Sequence, residues 1–359
     1  MTVACAPPLR HGWTTGASAT AAAAAAAEAL RTGRFPDPVT VRLPGGQTPS
    51  FPLLRPVIGD GWAEATVIKD AGDDPDVTHG CLVVVRVRLR PPGSGLSFRA
   101  GEGVGTVTRP GLPLAVGEPA INPGPRAMIA DNLGLKDAEI EISIPGGAEL
   151  ALKTLNGRLG IVGGLSILGT TGIVVPYSCA AWVDSIHRAV DVARASGLHH
   201  LVAVTGAASE MGVRTLYPGL PDLAVIDVGD FMGGLLTYLR RHPVEKLTIG
   251  GGFAKTTKLA AGHLNLHSKA SDIDFRWLAG IVAEIGGSPD QVVAVRAANT
   301  ALTVLELTQS EGLPLATAIA ARAWAVAFEA TSKQVPIEIA IFNRTGTLVG
   351  RYDTGSTTA

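Results

Sequence analysis

A dominant charge is missing: Lys and Arg total 30 against 31 Asp and Glu, and only 17% of the 359 residues are charged. Without a basic field, nucleic acid and anionic membranes have nothing to bind at long range. An anionic ligand must then be held by a local cluster of Arg, Lys and backbone N–H groups. Cysteine is also scarce. Cys5, Cys81 and Cys179 are odd in number and widely spaced, which fits neither a disulfide framework nor a zinc site and suits a reducing cytoplasm. No apolar run reaches the roughly 20 residues that a bilayer requires, and the nearest candidate, Gly160 to Val175, is broken by glycines. No membrane-spanning segment is expected. The alanines from Ala19 to Ala27 imitate a leader peptide, but Leu and Val are absent from the run. Thr14, Thr15 and Gly16 have the chemistry of a helix start, so a retained N-terminus is expected.

What is abundant is apolar residues, 46% of the chain, and glycine, 44 residues. The length suits two domains: an N-terminal α+β domain over 1–150 and a C-terminal Rossmann-like α/β domain over 151–359, divided near Leu150 to Arg158. In the first, an Ala-rich helix over 17–31 precedes strands Val39–Leu43, Trp62–Lys69, Leu82–Leu89 and Glu139–Ile144. Val alternates with Arg over Val83–Leu89, so those arginines belong to a solvated sheet face more often than to a site. In the second, apolar runs His200–Val204, Leu223–Val228 and Leu247–Ile249 alternate with helical stretches such as Phe231–Arg241, a parallel pattern. The last strand, Ile337–Phe342, is compatible with either sheet.

Four stretches carry chemistry. Glu102, Gly103, Gly105, Arg109, Asn122 and Arg126 lie in a run so rich in Gly and Pro that a stiff loop is expected, with two guanidinium forks ready for carboxylates. A structural crossover is the plainer alternative. Gly169, Thr170, Thr171 and Gly172 follow an apolar stretch and precede a helix near Ser178, a strand, turn and helix start able to hold an anion. Gly206 follows an apolar strand and Asp227 ends the next, the arrangement of an adenosine site, although the full G-x-G-x-x-G is missing and Asp227 can equally serve as a helix cap. Lys255 and Lys258 follow Gly250-Gly251-Gly252, but Ala254 stands where a phosphate loop needs glycine. His263 and His267 are spaced to share a helix face, yet no third ligand accompanies them, and no metal site is assigned.

Taken in order, Leu9 to Gly16 with its Ala-rich helix, Gly103 to Leu112, Ala120 to Arg126, Ser166 to Gly172 and Lys255 to Lys269 resemble the CbiD family over nearly the whole chain. The resemblance implies a cobalt-precorrin-5B methyltransferase of corrin biosynthesis using S-adenosylmethionine, with cobalt only as part of the substrate. Methyl transfer is an in-line displacement that depends on alignment more than on a nucleophile. On this reading Gly169, Thr170, Thr171, Gly172, Gly206 and Asp227 face the donor. Thr14, Thr15, Gly16, Gly103, Gly105, Arg109, Asn122, Arg126, Lys255 and Lys258 face the carboxylate-edged macrocycle, and Glu102 or His267 takes a proton. A homodimer and other corrin-pathway enzymes are the partners considered. Against the family pattern, Ser18 replaces Cys, Val175 replaces Glu and Gly251-Gly252 replaces a Gly-His start, so neither a thiol at 18 nor a carboxylate at 175 is essential if this chain is active. A tetrapyrrole carrier and a nucleotide enzyme are the competing classes.

Overall fold

The computed structural model describes residues 8–353, so Cys5 and the expectation of a retained N-terminus lie outside the described residues. The chain divides into two compact units between Ser178 and Cys179. The division falls beyond the composition change near Leu150 because the short strands of residues 151–178 pair back into the first unit.

In chain order the first unit contains β1 (Gly12–Trp13), α1 (Thr15–Thr32), β2 (Val39–Thr40), β3 (Ser50–Phe51), β4 (Leu54–Gly59), β5 (Trp62–Ile68), β6 (Leu82–Leu89), β7 (Leu96–Ala100) and β8 (Thr106–Val107). It continues with α2 (Pro123–Leu133), β9 (Ala138–Ser143), α3 (Gly147–Ala151), β10 (Ile161–Val162) and β11 (Ile173–Val174). The main sheet runs β4-β5-β6-β9-β7, antiparallel except for the β7–β9 pair. Alanine, the best helix former, builds α1; Thr14 caps it by accepting from Ala17 N–H at 3.1 Å, and Gly33 ends it at φ 77°. Helix α1 packs against β5, β6 and α2. Its residues from Thr15 to Ala23 are buried all round, which alanine permits because no larger side chain has to be fitted between sheet and helix. On β6, Val83, Val85 and Val87 are buried while Arg86 pairs with Glu64 at 2.7 Å on the other face.

One expectation fails here. The Gly/Pro-rich stretch around Arg126 is a regular element, α2, because its prolines fall in the first turn, where a missing N–H costs nothing and the fixed φ suits a helix.

The second unit contains α4 (Cys179–Ala195), β12 (His200–Val204), α5 (Ala207–Leu216), a 3₁₀ turn (Asp222–Ala224), β13 (Val225–Asp227), α6 (Met232–Leu239), β14 (Lys246–Gly252) and α7 (Phe253–Ala260). Then follow α8 (Phe275–Glu284), α9 (Pro289–Arg296), α10 (Ala301–Ser310), α11 (Leu315–Ala330), β15 (Ile337–Phe342) and β16 (Leu348–Asp353). The sheet order is β13-β12-β14-β15-β16, parallel but for the β16 edge. Helices α5 and α7 cover opposite faces: a Cβ at Gly250 would meet Val213 at 2.7 Å, and one at Gly251 would meet Thr256 at 2.6 Å. The α5 face is filled by Val202, Val204, Val213, Val225, Ala340 and Phe342. No helix among the described residues is long and apolar enough to cross a membrane.

Candidate functional site

In the second unit the chain leaves β12 toward β13 on one side and returns to the other side at β14. The loops after β12 and β14 therefore lead to opposite faces of the sheet, which makes the carboxyl ends of these strands the switch point at which open parallel sheets form a ligand crevice. Gly206 starts α5 and Gly252 starts α7; neither helix has a side-chain cap, and a Cβ at either glycine would meet nothing within 4 Å. Two uncapped helix starts supply N–H groups and positive dipole ends. Asp227 ends β13 directly across from Val204 of β12, and its Oδ1 accepts from Gly229 N–H at 3.0 Å. The residues present thus fit an adenosine-bearing ligand: an acid for ribose hydroxyls, open backbone beside it, and donors for a carboxylate.

Lys255 and Lys258 have other work than the sequence suggests. The Lys255 ammonium donates to Thr205 O at 2.7 Å and Gly229 O at 3.4 Å and pairs with Asp230 at 3.0 Å, so it ties together the loops after β12 and β13. Lys258 is buried with its ammonium on Leu266 O at 3.1 Å, a structural bond. His263 and His267 share no helix face, since α7 ends at Ala260 and Gly262 turns the chain at φ 94°. The Nδ1 atom of exposed His267 accepts from Lys269 N–H at 3.0 Å, which leaves the proton of the neutral ring on Nε2.

In the first unit the turn Gly169–Gly172 leads into β11, and no helix start follows it directly; the start it meets is that of α1. Thr14 N–H donates to Gly172 O at 2.9 Å and Gly16 N–H to Leu168 O at 3.1 Å. With Ala17 N–H on Thr14, donors expected to face a ligand are spent on the protein itself. Gly16 is small for the same reason: a Cβ would stand 2.9 Å from Leu168 O. Thr15 is buried, whereas Thr170 and Thr171 are exposed. Gly103 and Gly105 are buried, and a Cβ at either would strike the backbone of Ile144 or Gly164, so their close approach is internal.

The two arginines part company. Arg126 donates to Ile121 O at 2.8 Å and Pro119 O at 3.3 Å and pairs with Glu118 at 2.9 Å, holding the α2 start in place. Arg109 is exposed, and among the described residues its guanidinium has no hydrogen-bond or ion-pair partner in this structure. Asn122 is half-buried at the α2 start, where its side chain makes no capping bond. Glu102 is exposed on the turn before Gly103.

The loop 69–81 escaped the reading of the sequence. Lys69, with 1% of its side chain exposed, forms an ion pair with Asp76. Burial works to raise the Asp76 pKa, but the Lys69 charge and hydrogen bonds from Lys69 and Thr78 outweigh it and leave the pKa lowered. The far side of the loop grips the chain before α1: Arg10 forks onto Asp70 at 2.6 and 2.8 Å, Trp13 N–H donates to Asp70 O at 2.7 Å, and Tyr177 N–H to Asp74 at 2.8 Å. A lysine at the end of an apolar strand, followed by four aspartates within seven residues, was the available signal.

The CbiD family model matches residues 3–176 and the CbiD C-terminal domain model matches residues 265–353. Similarity extends to individual proteins. A Bradyrhizobium protein named cobalt-precorrin-5B C(1)-methyltransferase is 56% identical, the alignment covering 96% of this chain and 94% of that one. The protein of the same name from Rhodospirillum rubrum is 58% identical, over 95% of this chain and 97% of that one. The chain belongs to the CbiD family. The crystal structure of the cobalamin biosynthesis protein CbiD from Archaeoglobus fulgidus is 29% identical, over 68% of this chain and 77% of that one, with a TM-score of 0.38. Within this CbiD chain two of the three departures from the family pattern, Ser18 and Val175, sit in different surroundings. Ser18 is wholly buried and its hydroxyl has no hydrogen-bond partner, a place where a thiol, the weaker donor, would lose less. Val175 is 48% exposed.

Proposed function

We propose that this chain transfers a methyl group from S-adenosylmethionine to carbon 1 of cobalt-precorrin-5B, giving cobalt-precorrin-6A in corrin-ring biosynthesis. The observation that carries the reading is identity of 56% and 58%, over at least 94% of their lengths, to proteins bearing that activity as their name. It is a C-methyltransferase acting in the cytoplasm on a cobalt-bearing substrate, the cobalt belonging to the macrocycle. Displacement at a sulfonium needs alignment of donor and acceptor, which a preorganised crevice supplies without a protein nucleophile.

The second unit serves as a Rossmann-like donor domain on this account. Its support is the parallel sheet, the crevice beside β12, the uncapped starts of α5 and α7, and Asp227. Arg109, exposed and unpaired, is the better candidate of the two arginines for a substrate carboxylate, because Arg126 is already committed. Glu102 is the preferred proton acceptor, since His267 uses Nδ1 as an acceptor already.

The reading competes with that of a tetrapyrrole carrier, and calorimetry separates them: saturable binding of S-adenosylmethionine supports the enzyme, and tight tetrapyrrole binding without any donor binding supports the carrier. In the same titration Asp227→Ala is expected to weaken donor binding by about 1–3 kcal/mol while leaving tetrapyrrole binding intact. Equal donor affinity in a folded variant would remove Asp227 from the site.

A further inference from the structure

We propose that Trp182 is the wall on which the adenine of the methyl donor stacks; the inference rests on the donor site placed in the second unit above. Trp182 lies in the first turn of α4, one turn before Ile186, Val190 and Ala193, the buried stripe of that helix. It continues the packed stripe, yet it is 45% exposed. The cause is below it. Strand β13 ends at Asp227, and the residue under the indole is Gly229, in the left-handed region at φ 53°, with no side chain to cover the ring. A Cβ built there would lie 3.6–3.7 Å from Cζ2, Cε2 and Nε1 of Trp182, so the indole rests on the turn itself.

That turn also carries the acid. Asp227 Oδ1 accepts from Gly229 N–H at 3.0 Å, so the residue against which the indole lies is bonded to the carboxylate within one three-residue bend. The bend is held from several directions: Phe231 N–H donates to Val228 O at 2.8 Å, Leu266 N–H to Asp230 O at 2.9 Å, and Lys255 bonds Gly229 O and pairs with Asp230 at 3.0 Å. Phe231 supports the indole with ring centroids 6.4 Å apart and planes tilted by 44°. Indole Nε1–H donates to no protein atom among the described residues, so it is available to a ligand. A flat ring beside a carboxylate suits a nucleoside, whose base stacks while its sugar hydroxyls donate. It does not suit the macrocycle, whose carboxylates Asp227 would repel.

The test uses the full chain and S-adenosylhomocysteine, which carries the adenosine without the reactive methyl group. Calorimetric titration of wild type, Trp182→Ala and Trp182→Phe is combined with tryptophan fluorescence and thermal melts. Trp182→Ala is expected to weaken binding about 5- to 100-fold, as loss of one base–aromatic stack does. Trp182→Phe should fall between the two, and the ligand-induced fluorescence change of the wild type should be lost in it although binding persists. If Trp182→Ala does not fold, the Phe variant and the fluorescence difference decide alone. Wild-type binding with unchanged affinity in the folded variants, and an unchanged fluorescence response in Trp182→Phe, would overturn the stacking role while leaving the donor reading standing. Failure of the wild type to bind S-adenosylhomocysteine, with or without tetrapyrrole present, would overturn both.

Discussion

Glu338→Gln is expected to lower the unfolding temperature of the second unit by roughly 5–15 °C at neutral pH, from about 2–4 kcal/mol of lost stability. Glu338 sits in β15 with 1% of its side chain exposed, at the end of the sheet opposite the crevice. One carboxylate oxygen accepts from Arg351 at 2.6 Å, and the other receives Lys246 and Thr248 at 2.9 Å together with the Tyr217 hydroxyl. Burial pushes its pKa upward, but the hydrogen bonds from Tyr217, Lys246 and Thr248 and the Lys246 charge prevail and hold it down at about 2. A neutral amide fits the space but leaves two cations without a counter-charge and places donors against donors. Because the folded pKa lies below the ordinary 4.5, the stabilisation is complete above about pH 4.5 and drains away as pH falls toward 2. Its size is of the order of 3 kcal/mol. The wild type and Glu338→Gln should therefore converge in stability as pH falls through that window, measured by thermal melts at fixed salt. A gap that stays constant to pH 2 would contradict the charge account.

Gly12→Val is expected to damage the first unit as severely. A side chain at Gly12 would run into the backbone carbonyl of Ala71 and the amide of Gly72. Backbone cannot rotate aside as a side chain can, so either the β1–β11 pairing or the loop 69–81 must shift. The cost is about 1–3 kcal/mol or more, as for other overpacked sites. Displacing residues 10–13 also moves Thr14 and the turn beneath α1, so methyl transfer should fall along with the stability of the first unit. Binding of S-adenosylhomocysteine, which the proposed donor site assigns to the second unit, should be untouched. Gly33→Ala is the control: its φ of 77° imposes strain, but nothing stands within 4 Å of the new Cβ. Activity and melting temperature of the two variants are compared. Equal small losses would show that the contact at Gly12 yields.

Long elements with a clear period were legible in the sequence. The strands at Leu82–Leu89, His200–Val204 and Ile337–Phe342 have the bounds expected, and the Ala-rich helix runs only two residues earlier and one later than expected. The pairing of a turn at Gly206 with an acid ending the next strand also holds in space, because parallel neighbours align their carboxyl ends and Val204 faces Asp227. What failed depended on tertiary context. Prolines that read as loop chemistry open α2, since position within a helix decides whether proline is tolerated. The arginines at 109 and 126 look alike in one dimension, and only folding brings Glu118 and two carbonyls to the second. Lys255 was beyond reach for the same reason, because the oxygens its ammonium finds lie on loops distant in sequence; Lys69 and Lys258 find theirs only seven and eight residues on, and for Lys69 the following run of aspartates was the signal.

The central claim is tested most directly by incubating the purified chain with cobalt-precorrin-5B and isotopically labelled S-adenosylmethionine and analysing the tetrapyrrole by mass. The account predicts gain of one labelled methyl group, placed on carbon 1, with S-adenosylhomocysteine formed in equal amount. A tetrapyrrole that is bound yet recovered with unchanged mass, or one labelled at another carbon, would contradict it.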